Sequence, residues 1–183
     1  MSIQQQKQLN VLVVGDGCLD IYHYGKCHRI SPEAPVPVLA ITEEEKVHYG
    51  MAYNVRNNLV SFGVKCGFFT NKSEIKKHRF IDSRFMQCVL RVDEGETKVD
   101  KCNPDYIISR ELNIDAVVIS DYNKGFLDHE VCRRIVDFYS VFKIPIFVDS
   151  KKKDLTCFKK CFIKINEKEK KEAILPEECI LIT

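Results

Sequence analysis

Four short aliphatic runs in this chain each end in a polar side chain, and no other feature restricts the fold so strongly. Val11–Val14 leads into Gly15 and Asp16, Ala116–Ser120 into Asp121, Pro145–Val148 into Asp149, and Phe162–Ile165 into Asn166. Continuous β-branched and aliphatic runs of this length read as strands buried on both faces, the pattern of a parallel sheet. Helical patterns separate them. Gly50–Phe62 places Ala52, Val55, Leu59 and Phe62 on one face and is stopped by Gly63; Asp128 can cap a helix to about Phe142 with Val131, Ile135, Phe138, Tyr139 and Phe142 apolar. Strands alternating with helices predict an α/β sheet whose carboxyl ends share one edge, with ligands bound beyond it. Four polar strand ends on that edge predict a polar site.

The other segments fit round this frame. Val64–Phe69, Phe80–Asp82, Cys88–Asp93 and Cys179–Ile182 read as further strands, and Asn103–Leu112 and the charged stretch after Asn166 as helices. Ile21–Arg29 reads as a polar connection containing aromatic residues. Pro32, Pro35 and Pro37 then hold the backbone extended, so Val36–Ile41 suits an edge or bulged strand. This predicts a small β flap, or lid, over about residues 22–48, beside the main sheet of a single domain spanning 1–183. The tetrad Pro32–Pro35 also matches a PxxP ligand of an SH3-type domain.

Composition narrows the class. At 45% hydrophobic and 30% charged residues the chain is an ordinary globular one, and a net charge of +2 is too small to argue for nucleic acid or a membrane surface. The run Lys151–Lys153 is offset by Asp149 and Asp154, and Lys164–Lys171 is interleaved with Glu167 and Glu169, the pattern of a solvated helix face. Nine cysteines, an odd and scattered set, follow a polar Met1–Asn10 that lacks the look of a secretory leader; reduced thiols and a cytoplasmic setting are expected. Cys157 and Cys161 have ligand-like spacing, and Cys27 lies near His23 and His28, but neither set has a second pair to complete a zinc site. Of the eight glycines Gly125 is the last, no Walker A pattern occurs, and Gly15-x-Gly17 lacks the third glycine of a dinucleotide fingerprint because Asp20 stands there. A classical NAD site is not expected.

On spacing alone, Asp16 and Asp20 read first as a turn residue and a helix cap. As paired carboxylates at a strand end they could equally accept hydrogen bonds from sugar hydroxyls. Lys124 and Glu169, taken alone, read as a solvated turn lysine and a surface helix residue.

Together the motifs carry more. The GDxxLD pattern Gly15–Asp20, the segment RISPEAPVPV at Arg29–Val38, the stretch Lys77–Asp93 ending in RxD, and SDYNKG at Ser120–Gly125 resemble the ribokinase-like (PfkB) carbohydrate kinases. Within that family they are similar to the D-glycero-β-D-manno-heptose-7-phosphate kinases, the kinase half of bifunctional ADP-heptose synthesis proteins. The resemblance covers roughly Val11 to Thr183. It implies a ribokinase-like fold, ATP-dependent phosphoryl transfer to a phosphosugar hydroxyl, and ATP and Mg as cofactors. It also implies sugar contacts from Asp16, Asp20, Gly50 and Asn54, the last two in a GGxxN motif where Met51 replaces the second glycine. Lys124, Asp149, Lys151, Asn166 and Glu169 are implied at the phosphates, with Glu169 near the Mg ion; Asp149-Ser150-Lys151 is similar to the family's DPK motif and Asn166–Glu169 to its NxxE motif. Between Thr70 and Lys77 the chain is shorter than the kinases it resembles, which carry a further α/β unit there. The family's GAGD motif, source of its anion hole and base aspartate, does not occur in these residues. The expectation is therefore a ribokinase-like chain truncated before its nucleotide-binding half and catalytically incomplete alone. The alternative is a sugar-phosphate-binding or interaction module derived from such a kinase, dimeric through the flap.

Overall fold

In the computed structural model, which describes residues 8–109 and 113–183, two sheets divide the chain. The larger is built from β1 (Asn10–Gly15), β5 (Lys65–Phe69), β8 (Ala116–Asp121), β9 (Ile146–Ser150), β10 (Phe162–Lys164) and β11 (Ile180–Ile182). All pairings are parallel, in the order β11-β10-β9-β8-β1-β5. This is the expected ribokinase-like α/β sheet, and the four polar strand ends do fall along one edge of it.

The core lies on one face of that sheet. Leu12, Val14, Val117, Ile119, Ile146, Val148 and Ile163 meet Val131, Cys132, Ile135, Val136 and Tyr139 of helix α3 (His129–Val141). Each such aliphatic burial contributes about 1.5–3 kcal/mol. Asp128 caps α3 by accepting from the Val131 N–H at 2.9 Å, as its position before the apolar stripe predicts. On the opposite face helix α1 (Ala52–Ser61) contacts β1 and β5. Beyond α1 that face is barer than parallel strands normally allow: Phe147 and Phe162 stack at 4.9 Å, with Ile180 and Ile182 exposed on the next strand.

Three local expectations need correction. Ile21–Arg29 is not a connection but part of a 14-residue strand, β2 (Gly17–Ile30). It pairs with β3 (Pro37–Ile41) and β4 (Lys46–Met51) on one edge and with β6 (Lys76–Asp82) on the other. Its polar residues found cross-strand partners, and alternation with aromatic residues suits a strand open on both faces. Phe62 does not join the buried face of α1: it is 85% exposed, because the helix ends at Ser61 and Gly63, at φ 79°, turns the chain back towards β5. The helix expected over Asn103–Leu112 is α2 (Pro104–Ile108), capped by Asn103; residues 110–112 lie outside the described residues.

The second sheet completes the flap. β7 (Gln87–Glu94) pairs with β6, giving the order β3-β2-β6-β7 with β4 also on β2. The segment 22–48 is thus one part of a five-stranded sheet. The chain crosses to it from β5, the outer strand of the larger sheet, through Thr70–Ile75. Asn71 anchors this crossing, its amide oxygen accepting from the Gly17 N–H at 2.7 Å and its amide nitrogen donating to the Gly17 carbonyl at 3.2 Å.

Candidate functional site

One face of the flap sheet meets the carboxyl edge of the larger sheet at Tyr122, which packs with Cys18, Met51 and Ile75. Strand register puts Cys18, Asp20, Tyr22, Lys77, Arg79, Arg91 and Asp93 on that face. Asp20 is ion-paired with Arg79, whose guanidinium also lies over the Tyr22 ring at 5.3 Å. That hydrogen bond holds the Arg79 pKa above its ordinary value. Gly50 sits opposite Cys18 on β4, and a Cβ there would fall 2.2 Å from Asp20 Oδ2 and 2.8 Å from Cys18 Sγ. Glycine is required so that the Asp20 carboxylate can lie across β4. Burial, and then the charge of Asp20, pushes the Cys18 thiol up to about 11.

Beside this pair lies a group the sequence reading left unassigned. Lys77 is only 9% exposed, and among the described residues no carboxylate lies within ion-pair distance of it; its ammonium is 5.8 Å from the centre of the Tyr122 ring. Lysine is seldom this buried; Asp93 lies opposite it on β7, and beside the hydrogen bonds from Arg91 the charge of Lys77 contributes to the lowered Asp93 pKa. Arg91 stands nearby, held in a two-pronged contact with Asp93 at 2.7 Å for both nitrogens, and these bonds keep the Asp93 pKa low. The signal was present as an alternation, Lys77-x-Arg79 facing Arg91-x-Asp93, but it shows only once β6 and β7 are paired.

Asp16 is fully buried and has become internal wiring. Its Oδ2 accepts from the backbone N–H of Tyr122 at 2.7 Å and of Lys124 at 3.4 Å, while Oδ1 is buried with no hydrogen-bond partner among the described residues. Burial, then repulsion from Asp121, raises its pKa. Lys124 lies at the same turn and pairs with Glu96 at 2.6 Å. Asn54 is exposed in the first turn of α1 and shares no hydrogen bond with Asp16, Asp20 or Gly50 among the described residues. Met51 adopts φ 56°, a conformation that glycine favours, and turns its side chain into the core against Cys18 and Ile75.

The remaining candidates gather at the ends of β9 and β10. Lys151 bridges Glu169 at 2.7 Å and Asp149 at 3.3 Å, and Lys164, a second unassigned residue, reaches Asp149 at 3.0 Å. Burial works against the Lys151 ammonium, but Glu169 and Asp149 outweigh it and its pKa is raised. Asn166 and Glu169 form a capping box on α4 (Glu167–Glu172), each side chain accepting from the other's backbone N–H, at 2.9 and 3.1 Å. The Lys151 hydrogen bond holds Glu169 below the usual carboxylate range. Burial, then the charge of Asp149, raises the Tyr122 pKa.

The arrangement fits an anion better than a metal ion. Among the described residues no group of three or more His, Cys, Asp and Glu side chains could hold a metal. Both Glu169 oxygens are already engaged, one by an ammonium that would repel a cation, so these residues do not fit Mg unaided. Cys157 and Cys161 are buried in the core rather than arranged as ligands. Among the described residues no helix is long and apolar enough to cross a membrane.

No family model matches the chain. Curated relatives do. It is 34% identical over 196 residues to the bifunctional protein HldE of Nitratiruptor sp., covering 90% of this chain and 41% of that protein. It is 37% identical over 176 residues to HldE of Helicobacter pylori strain G27, covering 79% of this chain and 38% of that protein. The chain thus spans about two fifths of the length of the curated relatives it matches. Among solved structures, the tetrameric inhibited form of phosphofructokinase-2 from Escherichia coli aligns with a TM-score of 0.58 at 13% identity, over 91% of this chain and 64% of that one. Arabidopsis thaliana ribokinase complexed with ribose and ATP aligns with a TM-score of 0.52 at 10% identity, over 89% and 62%.

Proposed function

We propose that this chain, which is similar to the HldE proteins over about two fifths of their length and ribokinase-like in fold, belongs to the ribokinase-like (PfkB) carbohydrate kinase family, and that the junction of its flap and larger sheet at Tyr122 forms a crevice that receives a phosphosugar, heptose 7-phosphate being the candidate. The buried Lys77, with no carboxylate in ion-pair contact among the described residues, is the observation that carries the reading. A phosphate placed beside it would supply a counter-charge in direct contact, with Arg79 and Arg91 as further donors. Asp20 would then accept from sugar hydroxyls, at the position Gly50 keeps open for it.

The lysine-rich end of β9 and β10 faces the second requirement of phosphoryl transfer, stabilising the donor phosphates of ATP. Lys151 and Lys164 would serve there, with Lys124 on the turn after β8. To these 183 residues we assign substrate holding and orientation. Its nine cysteines are all free, which suits a reducing, cytoplasmic setting.

A second reading has its own support. The flap's outer face exposes Val47 and Tyr49 on β4 and Leu90 and Val92 on β7, on either side of β2 and β6, and we propose that it pairs with a second copy of the chain. The first reading is tested by calorimetric titration with heptose 7-phosphate, with and without Mg-ATP, beside an ADP-release assay. Sugar binding without ADP release is expected. Absence of binding would leave the interaction reading alone.

A further inference from the structure

The three consecutive lysines Lys151–Lys153 look alike in sequence and lie in three different environments. Lys151 is at the crevice edge, and Lys153 is exposed beside Glu172 at 3.0 Å. Lys152 points inward. Its side chain is 8% exposed and its ammonium lies 2.7 Å from Asp121 Oδ2, on a carboxylate with no exposure at all. The same ammonium donates to the Leu127 carbonyl at 2.7 Å. A solvated charge run therefore conceals a buried ion pair.

Asp121 is the junction of a larger network. Its Oδ2 also accepts from the Ser150 hydroxyl at 2.6 Å, its Oδ1 accepts from the Asn123 N–H at 2.9 Å, and its carbonyl accepts from the Lys151 N–H at 2.8 Å. The turn after β8 runs through left-handed backbone, with φ of 56° at Asn123 and 107° at Gly125. It hangs between two buried carboxylates: Asp121 holds Asn123, and Asp16 holds Tyr122 and Lys124. Lys152 is the one cation in ion-pair contact with either carboxylate among the described residues. Without it, two neighbouring buried carboxylates would face each other unneutralised, and the turn would have to open to water to relieve them.

We propose that Lys152 is a positioning residue: by neutralising Asp121 it holds the turn Tyr122–Gly125 closed and so fixes Lys124 at the crevice wall. Its importance for ligand binding rests on the phosphosugar reading above, whereas its effect on the turn does not. The two are separated by measuring both.

Four variants are compared: Lys152→Met, which strands the carboxylate; Lys152→Arg, which keeps the cation; the charge-neutral double Asp121→Asn/Lys152→Met; and Ile135→Val, which loosens the core without touching the turn. Amide hydrogen exchange is read at Tyr122, Asn123 and Lys124 against Leu12 and Val13 of β1. Lys152→Met should speed exchange in the turn by at least about tenfold, with β1 unchanged, while Lys152→Arg and the double variant stay close to the parent. Affinity for heptose 7-phosphate should follow the same order, and Ile135→Val should leave it unchanged. Should Lys152→Met not fold, the double variant carries the test: parent-like turn protection supports neutralisation as the role of Lys152, and loss of protection overturns it. Uniform acceleration of β1 and the turn in Lys152→Met would also overturn the proposal in favour of a plain core contact. If the parent protein binds no heptose 7-phosphate, the phosphosugar reading fails and the exchange result still decides the role of Lys152.

Discussion

Replacing Gly50 with alanine should disable the sugar-facing carboxylate without touching it. The added Cβ would lie 2.2 Å from Asp20 Oδ2 and 2.8 Å from Cys18 Sγ, well inside contact distance. Both neighbours are side-chain ends, so the backbone of β4 need not move. Asp20 must swing away by roughly 1 Å, the shortfall from an ordinary contact of about 3.4 Å or more. That motion pulls it off Arg79. A hydrogen bond to a charged group contributes about 1.5–3 kcal/mol, and Asp20 and Arg79 keep side-chain exposures of 17% and 25%, which argues for the lower end. Stability should therefore fall by about 1–2 kcal/mol in urea unfolding, and affinity for heptose 7-phosphate by about tenfold or more. A double-mutant cycle isolates the mechanism. In an Asp20→Ala background the same glycine substitution should cost clearly less, because the clashing oxygen is gone and only the contact with Cys18 Sγ remains. If Gly50→Ala is equally damaging with and without Asp20, the carboxylate is not what the glycine accommodates and the reasoning fails.

Asp16→Asn should alter the pH dependence of stability. The folded pKa of Asp16 is raised, so its contribution is present at low pH and lost as pH rises through that value; the asparagine variant should lack this alkaline loss in thermal melts run from pH 4 to 8. Glu169→Ala should remove both the capping box and the Lys151 pair, costing about 1 kcal/mol. Because the folded pKa of Glu169 is lowered, that contribution should vanish in the parent protein as pH falls through and below the ordinary glutamate range. Lys143→Gly should stabilise the chain by about 0.5–1 kcal/mol, since Lys143 occupies φ 56° just past the end of α3, where glycine is favoured; unfolding by urea would show it.

The sheet was legible because its determinants are local. Val11–Val14 and Ala116–Ser120 are too apolar and β-branched to be anything but interior strands, and Asp128 and Asn166 mark helix starts by side-chain chemistry. β2 was missed because its residues are polar, and only its partners on β3, β4 and β6 make a strand of them. Of the candidate site, Asp20 and Gly50 were readable as a motif, but the reason for the glycine is a contact between strands some thirty residues apart. Asp16 was recognised as important, while its backbone partners at Tyr122 and Lys124 lie more than a hundred positions away. Lys77 and Lys152 were invisible because a lysine's burial is set by what packs over it, not by its neighbours in sequence.

The most direct test of the phosphosugar crevice compares heptose 7-phosphate with the unphosphorylated heptose, by calorimetry, on the parent protein and on Lys77→Met. The parent should prefer the phosphorylated sugar, and Lys77→Met should weaken that ligand by about tenfold or more while leaving the unphosphorylated sugar unaffected and the fold intact. Equal affinity for the two sugars, or a Lys77→Met variant that keeps the parent's preference, would contradict the claim that the buried lysine is there to meet a phosphate.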